Sequence, residues 1–225
     1  MKPATIRTLR EARAAGRALV RVVDLASGDE RVLAPADAGD PALRDALASA
    51  IRRDKSETVE IGGRLFLQVF NPPLALVIVG AVHIAQVLSR MGALAGYAVT
   101  VIDPRKAFAT DARFPDVTLM NGWPDEELEK VAITPRTAIV ALTHDPKLDD
   151  PALAAALKSD AFYVGALGSK RTHATRLERL RAHGLTDAQL ARIKGPVGLA
   201  IGAISPGEIA VSILAEMTQE LRQVA

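Results

Sequence analysis

The chain has 225 residues and no cysteine. That excludes disulfides, thiolate nucleophiles and cysteine-based metal sites. Aromatic residues make up only 4%, against 49% hydrophobic residues, so the core must rest on Ala, Val, Ile and Leu. Such a core is typical of parallel sheets covered by helices on both faces. Neither sign of charge dominates: 28 Lys and Arg face 26 Asp and Glu, for a net charge of +2. No basic face interleaved with aromatics occurs, which argues against a nucleic-acid partner. No apolar run has the length of a membrane span, and residues 1–10 alternate charged and apolar positions where a signal peptide would be continuously apolar. A cytoplasmic protein is expected.

Two patterns divide the chain. In residues 1–70, Thr5 to Ala15 reads as a short amphipathic helix and Pro41 to Arg53 as another, with Leu43, Leu47 and Ile51 at four-residue spacing. Apolar runs around Ser27-Gly28-Asp29 and around Gly62-Gly63 predict two hairpins. A small α+β unit follows, and Asn71-Pro72-Pro73 ends it. From Leu74 strands and helices alternate, which predicts a parallel sheet. The strands are placed at Leu74 to Val79, Ala98 to Ile102, Val117 to Met120, Thr137 to Leu142, Ala161 to Ala166 and Val197 to Ile201. Asp150-Pro151 is read as the start of the helix after the fourth strand. Ser205-Pro206-Gly207-Glu208 opens the last helix with a capping box. The fold class is therefore α/β: a doubly wound, mainly parallel Rossmann-like sheet over 74–225, with the small unit before it.

Ligands of such sheets bind beyond the carboxyl ends of the strands. The richest of these ends is Gly165-Ala166-Leu167-Gly168-Ser169-Lys170-Arg171-Thr172-His173. It places glycines and two cations at a helix N-terminus, where the dipole already favours negative charge; this is an anion site. His173 lies one turn further along. Gly80-Ala81-Val82-His83-Ile84-Ala85 is an incomplete dinucleotide fingerprint, because Val82 stands where the middle glycine belongs. His83 falls in the first turn of its helix. Asp103 occupies the place of a ribose-binding carboxylate, with Arg105 positioned for a 2′-phosphate; alternatively Gly80 only makes the turn and Asp103 only caps Pro104. Thr143-His144-Asp145 continues into a dense titratable run whose aspartates could equally cap the next helix and pair with Lys147. Neither a nucleophile nor a metal-ligand spacing emerges. Arg176, Arg179 and Arg181 read as a solvated helix face, and Trp123 as a packing residue. These residues leave open an NAD(P)- or FAD-dependent oxidoreductase or a protein-interaction scaffold without ligand.

The same strings resemble the XdhC/CoxF/CoxI family of maturation factors for molybdenum hydroxylases such as xanthine dehydrogenase and carbon monoxide dehydrogenase. The similarity runs through Gly80 to Leu88, Val101 to Arg105, Arg113-Phe114-Pro115, Leu142 to Asp150, Phe162 to His173, Gly198 to Gly202 and Pro206 to Glu216. It implies binding of molybdenum cofactor, as molybdopterin or its cytosine dinucleotide form, and delivery to an apo-hydroxylase, with a sulfurase or an ATPase as a further partner. The role implied is that of a carrier and chaperone, with no turnover. The candidate cofactor-binding residues, read from their places at the strand ends, are Gly80, His83, Asp103, Arg105, Thr143, His144, Asp145, Gly165, Gly168, Ser169, Lys170, Arg171 and His173. Val82 departs from the family pattern, and residues 1–70 lack the family's Ser-Gly-Gly-Cys segment. The small unit is then read as a docking or homodimer element.

Overall fold

The computed structural model describes residues 1–223; Val224 and Ala225, the end of the expected 74–225 domain, lie outside the described residues. The chain forms two compact units, one containing Met1–Pro72 and the other Pro73–Leu221.

The first unit carries helices α1 (Pro3–Ala14) and α2 (Pro41–Arg53) and strands β1 (Leu19–Asp24), β2 (Glu30–Leu33), β3 (Glu57–Glu60) and β4 (Arg64–Phe70). The strands form an antiparallel sheet in the order β2-β1-β4-β3. Both expected hairpins are present. Gly62 and Gly63 supply the positive φ angles that the second turn requires. Leu43, Leu47 and Ala50 of α2 pack on Val20, Val22, Leu65 and Leu67 of the sheet, so four-residue spacing on the helix meets two-residue spacing on the strands.

The second unit holds six parallel strands in the order β10-β9-β8-β5-β6-β7. They are β5 (Leu74–Val79), β6 (Tyr97–Ile102), β7 (Thr118–Met120), β8 (Thr137–Ala141), β9 (Tyr163–Ala166) and β10 (Ile193–Lys194). The helices are α3 (His83–Leu94), α4 (Pro124–Lys130), α5 (Pro146–Leu157), α6 (Lys170–Ala182), α7 (Asp187–Leu190) and α8 (Pro206–Gln223). Alternate residues of β5 serve the two faces. Leu76 and Ile78 join the core under α3 and α8, while Val77 and Val79 join the core under α4, α5 and α6. This is the doubly wound arrangement, with strand order reversing between β5 and β8.

Three expectations are corrected. The sixth strand is Ile193–Lys194, not Val197 to Ile201. Pro196 has no N–H to give a ladder and Gly198 turns at φ 93°, so the apolar run leaves the sheet. Ile201 at the end of that run is 56% exposed, and Ile204 just beyond it is 87% exposed. Helix α5 begins at Pro146, because Asp145 caps it by accepting from Lys147 N; Pro151 lies inside the helix. Finally, Arg176 is not solvated. It is 1% exposed, while Arg179 pairs with Asp150 and Arg181 with Asp187.

Candidate functional site

Register aligns the carboxyl ends of the four central strands. Val79 pairs with Ile102 on one side and Ala141 on the other, and Ala141 pairs with Ala166. The chain therefore leaves the sheet at one level through Asp103, Gly80, Leu142 and Leu167. Gly80 and Thr143 flank the point where strand order reverses. Gly80 sits at φ 106°, and a Cβ there would meet Thr143 Cγ2 at 2.4 Å. Only glycine permits so close an approach of the two loops. Val82, the N-cap of α3, packs its side chain against the core cluster. His83 follows, exposed.

Asp103 is fully buried. One oxygen accepts from Ala81 N at 2.7 Å and from Arg105 Nη2 at 2.7 Å; the other accepts from Arg105 N and Nε, both at 2.9 Å. Burial alone would raise its pKa, but these hydrogen bonds, led by that of Arg105, hold it below the usual carboxylate value. Asp103 thus fixes both the Gly80-Ala81 turn and Arg105. The Arg105 guanidinium lies 4.8 Å from the centre of the Phe108 ring, an arrangement favoured by cation–π attraction.

The Thr143-His144-Asp145 loop is organised by a residue that sequence reasoning passed over. Asp149 accepts from Thr143 Oγ1 at 2.6 Å and from His144 N at 3.1 Å. His144 takes φ 63°, and both it and Asp145 are exposed. Asp149 is itself buried, and its counter-charge is Arg176, 3.7 Å away. Burial raises the Asp149 pKa and lowers that of Arg176. Arg176 Nη2 donates to Leu167 O at 2.7 Å, directly under the β9–α6 turn, while Nε and Nη1 have no hydrogen-bond partner among the described residues. The signal was available in outline: two acids at the start of α5 and bases at 176 and 179, three apart on the next helix.

The β9–α6 turn lies above that guanidinium. Gly168 takes φ 143°, and a Cβ on it would meet Thr172 at 3.1 Å. Ser169 caps α6 by accepting from Thr172 N. Lys170 and Arg171 are exposed and have no ion pair among the described residues. His173 is partly exposed, with Nδ1 buried against Gly195 and unpaired. Burial, and then the Arg176 charge, lower its pKa. Gly165 sits lower, buried beneath Val197 and Tyr163, so it serves packing.

Among the helices of the second unit, α4, α5, α7 and α8 carry carboxylates in their first turns. Helices α3 and α6 carry none. The two N-termini left without an acid are thus one on each side of the β5/β8 crevice, and both favour an anion. The structure thereby brings Gly80 to Thr143, Asp103 to Arg105, and His173 to Arg176. It leaves the charges of Lys170 and Arg171 unpaired among the described residues.

A protein-family model described as the XdhC Rossmann domain matches residues 76–217. A protein of Bacillus subtilis named as a probable xanthine dehydrogenase subunit is 33% identical over 162 residues, covering 72% of this chain and 47% of that protein. The molybdenum cofactor insertion chaperone PaoD of Escherichia coli is 32% identical over 148 residues, covering 66% of this chain and 40% of that protein. The chain spans less than half the length of either relative. Among solved structures, a xanthine dehydrogenase from Bacillus halodurans superposes with a TM-score of 0.74 over 98% of this chain and 67% of that one. At 24% identity, that likeness speaks for the fold alone.

Proposed function

Because this chain belongs to the XdhC family through its Rossmann domain, we propose that it binds molybdenum cofactor and assists its insertion into a molybdenum hydroxylase. The cargo is a pterin bearing a phosphate or a nucleotide diphosphate, with anionic oxo or sulfido ligands on its metal. The observation that carries the reading is the β9–α6 turn. There, the N-terminus of α6, with no carboxylate in its first turn, stands with exposed Lys170 and Arg171 and with the buried Arg176 guanidinium beneath the turn. Charge-assisted donors of this kind suit a phosphate or diphosphate.

In this reading Gly168, Ser169, Lys170 and Arg171 hold the phosphate, with His173 behind them. The uncapped start of α3, with Gly80 and His83, and the Thr143-His144-Asp145 loop face the rest of the ligand. Arg105, fixed by Asp103, supplies a second cation on the β6 side. The apo-hydroxylase is the receiving partner, and a sulfurase or an ATPase would act on the loaded carrier in the cytoplasm. A nicotinamide or flavin enzyme draws less support, since Asp103 has both oxygens committed inside the protein.

Mass spectrometry of ligands co-purified from a molybdenum-sufficient host tests the proposal. A pterin species, free or joined to cytosine nucleotide, is expected. Stoichiometric NAD(P) or flavin in its place would overturn it.

A further inference from the structure

Helices α5 and α6 run side by side on one face of the sheet, and the gap between them is a trough of about 570 Å³. Its floor is apolar, made by Pro146, Pro151 and Ala154. Lys147 stands at one end of α5 and Lys158 just beyond the other, both exposed and both lining the trough. At 1.5 Å per residue their backbones lie about 16 Å apart. Asp150, the one carboxylate among the lining residues, is neutralised by Arg179, which donates to it at 2.6 and 3.0 Å. The trough therefore carries net positive charge, concentrated at its ends. Pro151 has no N–H and so gives no helical hydrogen bond to the Lys147 carbonyl.

We propose that this trough docks an acidic peptide segment of a protein partner. An extended acidic segment meets both lysines without drawing their side chains towards each other along the helix. A span of about 16 Å corresponds to about five residues of extended chain, at roughly 3.3 Å each. Acidic residues at the two ends of such a segment meet Lys147 and Lys158, and small apolar residues between them cover the proline floor. The surface is separate from Lys170 and Arg171, and the proposal does not depend on which cofactor binds there.

The probe is a fluorescein-labelled peptide, Glu-Glu-Ala-Leu-Ala-Glu-Glu, followed by fluorescence anisotropy with the full-length protein. Binding that weakens as ionic strength rises is expected. The double variant Lys147→Glu/Lys158→Glu should weaken it by about tenfold or more, since like charges would then face each other. Lys147→Gln/Lys158→Gln serves if the charge reversal fails to fold. Lys170→Ala/Arg171→Ala should leave peptide binding unchanged. Failure of the peptide to bind overturns the proposal, as does unaltered binding by the trough variants. Displacement by millimolar pyrophosphate at constant ionic strength, or loss of binding in Lys170→Ala/Arg171→Ala, also overturns it by showing a small-anion site or the sheet edge to be the receptor.

Discussion

Asp149 and Arg176 face each other at 3.7 Å with both side chains 2% exposed, and each also holds a different loop of the carboxyl edge. Asp149 binds Thr143 and His144 after β8; Arg176 binds the Leu167 carbonyl after β9. One buried charge pair thus sets the spacing between the Thr143-His144-Asp145 loop and the turn that bears Lys170 and Arg171. Arg176 Nε and Nη1 have no hydrogen-bond partner among the described residues, which is costly in a core.

Arg176→Met should destabilise the protein by about 3–5 kcal/mol, because it leaves the Asp149 charge buried and uncompensated. Asp149→Leu/Arg176→Met should cost less than the sum of the two single changes, since neither charge is then stranded. Urea unfolding followed by circular dichroism measures both. Equal and additive losses would show that the pair does not act as a unit.

His173 gives a pH dependence whose sign is fixed. Its pKa in the folded protein is lowered, first by burial and then by Arg176. Between that value and the ordinary one near 6.5, the unfolded chain binds the extra proton and the folded protein does not. This stability is therefore fully present above about pH 6.5 and is lost as pH falls towards the folded-state value. His173→Gln should flatten the stability profile in that window when thermal melts are compared from pH 5 to 8. A variant profile parallel to the parent's would contradict the assignment.

Gly80→Ala should cost about 1–3 kcal/mol through the strained φ alone, and more through the Thr143 Cγ2 contact at 2.4 Å. Thr143→Ser removes that methyl and should recover part of the loss. A double variant no more stable than Gly80→Ala would place the whole cost in the backbone.

Asp103→Asn should loosen the Gly80-Ala81 turn and release Arg105 together. The lowered pKa of Asp103 in the folded protein means that its stabilising contribution is present above about pH 4 and is lost as pH falls through the folded-state value. The variant should accordingly show a shallower acid limb in unfolding, measured between pH 2 and 6.

Much of this was legible in the residues. Continuous apolar strands bounded by glycine gave the parallel sheet, and the Gly62-Gly63 turn gave a hairpin, because both depend on local pattern. What sequence pattern misplaced depended on tertiary context. Val197 to Ile201 has the composition of a buried strand, but Pro196 and Gly198 take it out of the ladder. Arg176 has the composition of a surface residue, but its partner Asp149 lies 27 positions earlier, on another helix. Asp103 looked like a ligand carboxylate because it ends a strand; the hydrogen bonds that occupy it come from Ala81 and from its own neighbour Arg105.

The central claim is that the cationic turn after β9 holds the phosphate of a molybdenum cofactor. Its most direct test is the binding of cofactor, released from a denatured hydroxylase, to the parent protein and to Lys170→Ala/Arg171→Ala, with pterin and molybdenum assayed after gel filtration. The account predicts near-stoichiometric retention by the parent and loss of about tenfold or more in affinity for the variant, as expected when charge-assisted phosphate contacts are removed, at unchanged thermal stability. Equal retention by the two proteins, or none by the parent, would contradict it.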